Sequence, residues 1–361
     1  ETMERLNNYC MGLLSTALAL FLLVTVSSNL LHDTTTNKEG TKTLFSAIPT
    51  VSAMQSSSSL SSSASRIVAS GKPYILYGTA WKKEETARLV QEAVESGFRF
   101  IDTACQPKHY NEAGVGQGWT NAIAALSAKQ QLKRSDLYLQ TKFTPPQGQD
   151  PNNIPYDPSS TIENQVTKSL ETSLSNLRTT YLDALLLHGP YNNDKDDTMK
   201  VWRTFESFVK NEQVLKLGIS NCYDLPTFQY LYETSTIKPS ILQNRFYSES
   251  NFDVKLRQYC KEKNVTYQSF WTLTANIKAL DTTELKQLAF KKGLSPQTLM
   301  YAFMMSLDGH VTPLSGTTDK MHMAQDVEVM NRIIEKNEGE EKILKEDEMK
   351  FMANILGIPG L

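Results

Sequence analysis

The chain has 361 residues, 37 Lys+Arg against 39 Asp+Glu, and a formal net charge of -2. A balance this even gives no electrostatic footprint for a polyanionic partner, so no nucleic acid is expected, and the length suits one large barrel or two ordinary domains. The four cysteines, Cys10, Cys105, Cys222 and Cys260, have neither CxxC spacing nor the density of a disulfide framework.

Residues 1–32 carry the apolar run "CMGLLSTALALFLLVTV", Cys10 to Val26. It lies between a secretory core of about 7–15 residues and a spanning helix of about 20, and is predicted to be a signal peptide or a membrane anchor. Upstream, Arg5 is offset by Glu4, so charge sets no orientation. Residues 33–71 include "MQSSSSLSSSASR" and are predicted to be a flexible Ser-rich linker, with the folded part over 72–361. The N-terminus therefore points to membrane attachment or to organelle or secretory targeting, with a cytoplasmic barrel as the alternative. In a secretory lumen, Asn264 in "NVT" would be a glycosylation acceptor.

From Tyr74 onward, short apolar runs alternate with helix-like stretches. The runs are "YILYG", "FRFID", "LYLQTK", "LDALLLH", "VLKLGIS", "SILQN", "VTYQSF" and "HVTPLS". Between the first two, "KEETARLVQEAVESG" sets Leu89, Val90, Ala93 and Val94 on one face and ends at Gly97; later "TIENQVTKSLETSLSNL" repeats the pattern from Ile162 to Leu177. Parallel strands need crossover helices, so eight such units predict an α/β fold, a (β/α)8 TIM barrel.

In such a barrel the site lies at the C-terminal strand ends. Four runs end there on polar residues: Asp102, Lys142, His188 and the pair Ser220-Asn221. Any one of them, read alone, is a strand end reaching solvent. Three ionisable groups on one rim can instead tune one another. Tyrosine titrates near pH ~10; a neighbouring ammonium lowers that value, and a carboxylate holds the ammonium charged and in place. Tyr110 is then the proton donor, Lys142 its electrostatic partner, Asp102 the residue orienting Lys142, and His188 a hydrogen-bond donor to a substrate oxygen. Such a site protonates a developing alkoxide, provided a hydride is supplied.

"YGTAW", "GFRFIDTA" followed by "YNEAGVG", "LYLQTKF", "LDALLLHGP", "LKLGISN", "ILQNRFY", "YQSFWTL" and "VTPLSGT" follow one another in the order found in the aldo-keto reductases, and the chain resembles that family from Tyr74 to its C-terminal helix. The resemblance implies a barrel that binds NAD(P)H without a Rossmann domain, in keeping with the lack of a GxGxxG turn. It places the family's Asp-Tyr-Lys-His tetrad on Asp102, Tyr110, Lys142 and His188. It also implies nicotinamide carboxamide contacts at Ser220, Asn221 and Gln243, a stacking ring at Phe270, and cofactor contacts near Gly78, Thr79 and Leu273. The implied activity is hydride transfer from NADPH, with NADH as alternative, to a small-molecule aldehyde or ketone.

Three features depart from the family pattern. Tyr110 lies eight positions after Asp102 where the family has five, and His109 beside it is a rival donor. The segment "PPQGQDPNNIPYDP", Pro145 to Pro158, is long and proline-rich, and is expected to add a wall above the site or to be a surface insertion. Leu314 stands where NADPH-preferring members carry a lysine, which leaves Ser315, Thr317, Lys320 and His322 as phosphate contacts. Trp81, Phe143, Tyr191 and Trp271 are candidate pocket walls for an apolar or aromatic carbonyl substrate. The competing function is a membrane-tethered NADP(H)-binding regulatory module of the same fold with little turnover. No HxH or HExxH motif supports a metal site, and oligomeric state is not encoded in any readable motif.

Overall fold

The computed structural model describes residues 63–130, 132–307, 311–335 and 342–360. The apolar segment 10–26 and most of the predicted linker lie outside the described residues. The linker's last part differs from expectation: Ala64–Ala69 forms a short helix, α1, with Ala64 and Ile67 buried. Ala64, Ile67 and Val68 share one helical face, which gives this stretch an apolar stripe that the serine tract before it lacks.

Eight parallel strands close into a barrel in chain order. They are β1 (Leu76–Gly78), β2 (Phe100–Asp102), β3 (Tyr138–Phe143), β4 (Ala184–Leu187), β5 (Leu217–Ser220), β6 (Ile241–Arg245), β7 (Thr266–Phe270) and β8 (Val311–Ser315). Each falls on one of the eight predicted runs, with C-terminal ends that agree to within a residue and starts that lie up to three residues inside the run; His310, the start of the last run, lies outside the described residues. The register is closed by β1 pairing with both β2 and β8.

Helices α2 (Thr86–Glu95), α3 (Glu112–Gln130), α4 (Ile162–Asn176), α5 (Lys195–Lys210), α6 (Leu225–Thr234) and α7 (Val254–Lys263) each follow one strand. Three helices, α8 (Ile277–Leu280), α9 (Thr283–Lys292) and α10 (Pro296–Ser306), separate β7 from β8, and α11 (Lys320–Ile334) and α12 (Glu346–Leu356) complete the order. Helix α2 buries Leu89, Val90, Ala93 and Val94, each worth up to a few kcal/mol of transfer energy, and Gly97 beyond it takes a φ of 111° open to glycine. Asn264 caps α7 in the left-handed conformation and is exposed.

Strand parity decides what reaches the lumen. On β3, Lys142 bonds across to β2 while its neighbours face the helices: the Thr141 hydroxyl donates to Glu112 of α3 at 2.6 Å, and the Phe143 ring packs near Tyr156 and Tyr191. The alternate residues Tyr138, Gln140 and Lys142 therefore share the inner face.

Candidate active site

The base of the site is an ion pair. Lys142 Nζ donates to Asp102 Oδ1 and Oδ2 at 2.8 and 2.7 Å and to the carbonyl of Thr103 at 2.9 Å, with both side chains no more than 2% exposed. Burial pulls the ammonium pKa down, and Asp102 opposes that shift. A pair this buried persists only when hydrogen bonds satisfy it. Asp102 Oδ1 indeed accepts two more, from Gln140 Nε2 at 2.7 Å and Gln243 Nε2 at 3.0 Å.

The long turn after β2 still delivers Tyr110. The amides of His109 and Tyr110 both donate to the Gln106 carbonyl at 3.0 Å, which folds the extra residues into a compact loop. That loop is held from two sides, by Trp81 N donating to the His109 carbonyl at 2.7 Å and by Gln106 Nε2 donating to the Gly148 carbonyl at 2.6 Å. Lys142 Nζ lies 5.4 Å from the Tyr110 ring centroid, and the His188 ring meets the tyrosine edge-on at 6.0 Å. The four residues expected to form the tetrad thus converge on one rim.

Their electrostatics differ from the simple expectation. Burial and then the charge of Asp102 push the Tyr110 phenol above its ordinary range. Lys142 spends its charge on both oxygens of Asp102, so the phenol is not drawn down. His188 is held well below its usual value by burial, then by Lys142 and His109, and is a neutral imidazole. Its Nδ1 lies 2.6 Å from the Thr144 hydroxyl. A hydroxyl donating to Nδ1 leaves the proton on Nε2, the tautomer that can donate toward the cavity.

That cavity, about 460 Å³, is lined by His188 together with Gln106, Thr144, Gln147, Asn192 and Asn221. The segment after Pro145 is its wall: Gln147 Nε2 donates to Asn192 Oδ1, tying the loop after β3 to the loop after β4, and the Tyr156 hydroxyl donates to the Thr144 carbonyl at 2.5 Å. The predicted aromatic walls lie elsewhere. Phe143 and Tyr191 are buried on the outer side of the strands, with the Tyr191 hydroxyl donating to Gln165 at 2.9 Å. Trp81 is exposed and packs at a tilt against His109, with ring centroids 3.8 Å apart, and Trp271 is covered by the Arg245 guanidinium at 4.2 Å.

The expected cofactor contacts fall into two groups. Beside His188, Asn221 Nδ2 donates to the His188 carbonyl at 2.8 Å, and the Ser220 hydroxyl donates to the Gln243 carbonyl at 2.7 Å. Gln243 spends its NH2 on Asp102 and Gln268, so its oxygen is the end left to accept from a carboxamide. Phe270, the last residue of β7, and Leu273 just beyond it are half-buried, and Gly78 and Thr79 close β1, where the Thr79 hydroxyl donates to the Asp102 carbonyl at 2.9 Å.

At the β8 end, Ser315 differs from its expected role. It turns outward and donates to Asp326 Oδ2 of α11 at 2.8 Å, which spends its hydroxyl in the core. Thr317, Lys320 and His322 remain around the start of α11, capped by Asp319. A cation that sequence reasoning did not find lies at this loop. Lys82, 7% exposed, donates to the Gly316 carbonyl at 2.9 Å, and burial lowers its pKa to about 8. The other residues missed are Thr144, Gln106, Gln140, Gln147, Asn192 and Gln268. Gln140 had a readable signal, since it stands two positions before Lys142 and so shares its face.

The geometry has a match among known proteins. Residues 71–341 fit the model of the aldo/keto reductase family. The chain belongs to that family. It is an oxidoreductase acting on aldehydes and ketones, of a kind that uses a nicotinamide cofactor. It is 28% identical over 251 residues to an uncharacterized oxidoreductase of Schizosaccharomyces pombe, covering 69% of this chain and 79% of the relative. Glyoxal reductase of Bacillus subtilis is 28% identical over 212 residues, 58% of this chain and 66% of that protein. The fold is shared with a Bombyx mori aldo-keto reductase solved in complex with NADP, at 22% identity and a TM-score of 0.60 over 78% of this chain and 89% of the other.

Proposed function

We propose that the protein reduces a small aldehyde or ketone at the expense of NADPH, with Tyr110 as the proton donor. The observation that carries this reading is the Tyr110 ring set between the Lys142 ammonium and the His188 imidazole at one end of the barrel. When bound, reduced nicotinamide supplies the hydride to the carbonyl carbon. Asn221 and the free oxygen of Gln243 are the groups that would hold its carboxamide. The carbonyl oxygen accepts from neutral His188 and from Tyr110; as charge builds on it, the phenol gives up its proton and an alcohol leaves. Burial keeps that phenol protonated across the physiological range. Donors aimed at developing charge are a large catalytic contribution, and general-acid help adds roughly 10²–10⁴-fold.

The preference for NADPH rests on Lys82 and Lys320, which offer cations to a 2′-phosphate despite Leu314, with Thr317 and His322 as hydrogen-bond partners beside them. The cavity also revises the substrate. Its wall carries the carboxamides of Gln106, Gln147, Asn192 and Asn221, which suits an oxygen-rich carbonyl compound in place of an apolar or aromatic one. The test is cofactor consumption by the full chain with NADPH or NADH, on short hydroxyaldehydes against alkanals of the same carbon number. We expect NADPH to be used faster and the hydroxyaldehydes to have the higher kcat/KM. A protein that binds NADPH yet reduces nothing on the panel would move the regulatory-module reading ahead.

A further inference from the structure

The lumen of a (β/α)8 barrel is usually filled by layers of side chains in which Val, Ile and Leu dominate. The layer beneath Lys142 is one carboxylate and three carboxamides: Asp102 from β2, Gln140 from β3, Gln243 from β6 and Gln268 from β7, each 2% exposed or less. Register sets Asp102 beside Gln140 and Gln243 beside Gln268, so the layer is level. The bonds between the two pairs cross the lumen: Gln140 Nε2 donates to Gln268 Oε1 at 2.8 Å, Gln268 Nε2 returns a bond to Gln140 Oε1 at 3.0 Å, and Gln243 Nε2 donates to Asp102 Oδ1 at 3.0 Å. Within its own pair, Gln243 Nε2 also donates to Gln268 Oε1 at 2.8 Å.

The orientation of these amides follows from chemistry alone. An ionised carboxylate only accepts, so both glutamines facing Asp102 must turn their NH2 groups to it, and Gln268 must then offer its oxygen to both. Burying three amides without such a closed set would cost more than packing apolar residues there. The network is therefore explained by what it holds.

We propose that Gln140 and Gln268 are positioning residues that fix the Asp102 carboxylate, and through it the Lys142 ammonium, beneath Tyr110. This deepens the reduction proposed above and rests on it. The titratable groups facing the layer are Lys142 from β3, Tyr110 from the turn after β2, His188 at the end of β4, and Tyr74 and Tyr138 on its other side, with Glu112 of α3 acting on Lys142. Loss of an amide donor leaves the charge of Asp102 less compensated, and that charge raises the Tyr110 phenol.

Three proteins are compared as full chains: wild type, Gln140→Leu and Gln140→Glu, each assayed for kcat, KM, NADPH binding and pH profile. Loss of one charge-assisted hydrogen bond predicts a fall in kcat of about 10- to 100-fold in Gln140→Leu, with NADPH binding changed less than about twofold. Gln140→Glu sets two carboxyl groups together, which raises the pKa of one. Its neutral form can donate to Asp102, so this variant is active at low pH and loses activity as pH rises, within one folded protein. That behaviour supports the proposal even where Gln140→Leu folds poorly. Wild-type kcat in Gln140→Leu, or no added limb in Gln140→Glu, would overturn it while leaving the reductase intact. A wild type with no turnover on the panel would overturn both.

Discussion

Breaking the buried pair one side at a time should cost far more than removing both sides. Lys142→Met leaves the Asp102 carboxylate in the lumen with only the amides of Gln140 and Gln243. Asp102→Asn leaves the ammonium with the Thr103 carbonyl and a neutral amide oxygen. Uncompensated buried charge costs about 3–5 kcal/mol, so additive singles would total roughly 6–10 kcal/mol. In the double variant, the amide that replaces the Asp102 carboxylate still offers an oxygen to the glutamine amides, and no charge remains. Its expected cost is about 2–3 kcal/mol, a coupling of at least ~3 kcal/mol.

The single Asp102→Asn variant adds a pH signature. Burial already lowers the Lys142 pKa and Asp102 is the main group opposing it, so without the carboxylate the folded value falls further. A depressed folded pKa means stability that is present above the unfolded value, near ~10.4, and is lost as pH falls. The deficit of Asp102→Asn relative to wild type should therefore grow from pH ~9 to pH ~7. Urea unfolding of all four proteins at both pH values reads each quantity from the midpoints at constant slope. A Lys142→Met cost under ~1 kcal/mol, or a double variant equal to the sum of the singles, would refute this reasoning.

Two further outcomes follow from buried contacts outside the site. Asp326, whose pKa burial raises from 3.8 to about 7, contributes stability in its neutral form that is lost as pH rises through that value. Asp326→Asn should match wild type near pH ~4 and exceed it at pH ~8, by at most ~4 kcal/mol, and a pH series of unfolding midpoints checks this. Gly116 of α3 lies so close to α4 that a Cβ would stand 2.1 Å from the Asn176 carbonyl oxygen, whereas Gly316 has nothing within 4 Å. In urea unfolding, Gly116→Ala should lose about 3 kcal/mol by overpacking, and Gly316→Ala should behave like wild type.

The barrel was legible because each strand is a short apolar run buried on both faces, and each crossover carries a helical stripe. The rim residues were legible for the same reason, since Asp102, Lys142 and His188 are the polar ends of those runs. What failed was parity. Phe143 follows Lys142 directly, and neighbours on a strand point to opposite faces, so a luminal Lys142 already places Phe143 among the helices. Ser315 is likewise turned away from the lumen, toward Asp326.

The glutamine layer was hidden for a different cause. Gln243 and Asp102 are 141 positions apart, and Gln140 and Gln268 are 128 apart, so their bonds exist only once the barrel closes. The same holds for Lys82, which looks like one of two ordinary surface lysines in "WKKEE" until the β8 loop folds over it. The short helix Ala64–Ala69 went unread because a serine-rich composition runs straight into it, and only two buried side chains, Ala64 and Ile67, seat it.

The central claim is that Tyr110 gives the proton. Its most direct test is Tyr110→Phe in the full chain, with NADPH binding measured beside carbonyl reduction on the best substrate of the panel. We expect kcat/KM to fall by about 10²–10⁴-fold while NADPH binds as before, because the ring and its contacts with Lys142 and His188 remain and only the hydroxyl is gone. A variant that keeps wild-type kcat/KM would contradict the claim and pass the role of donor to another group, with His109 first in line.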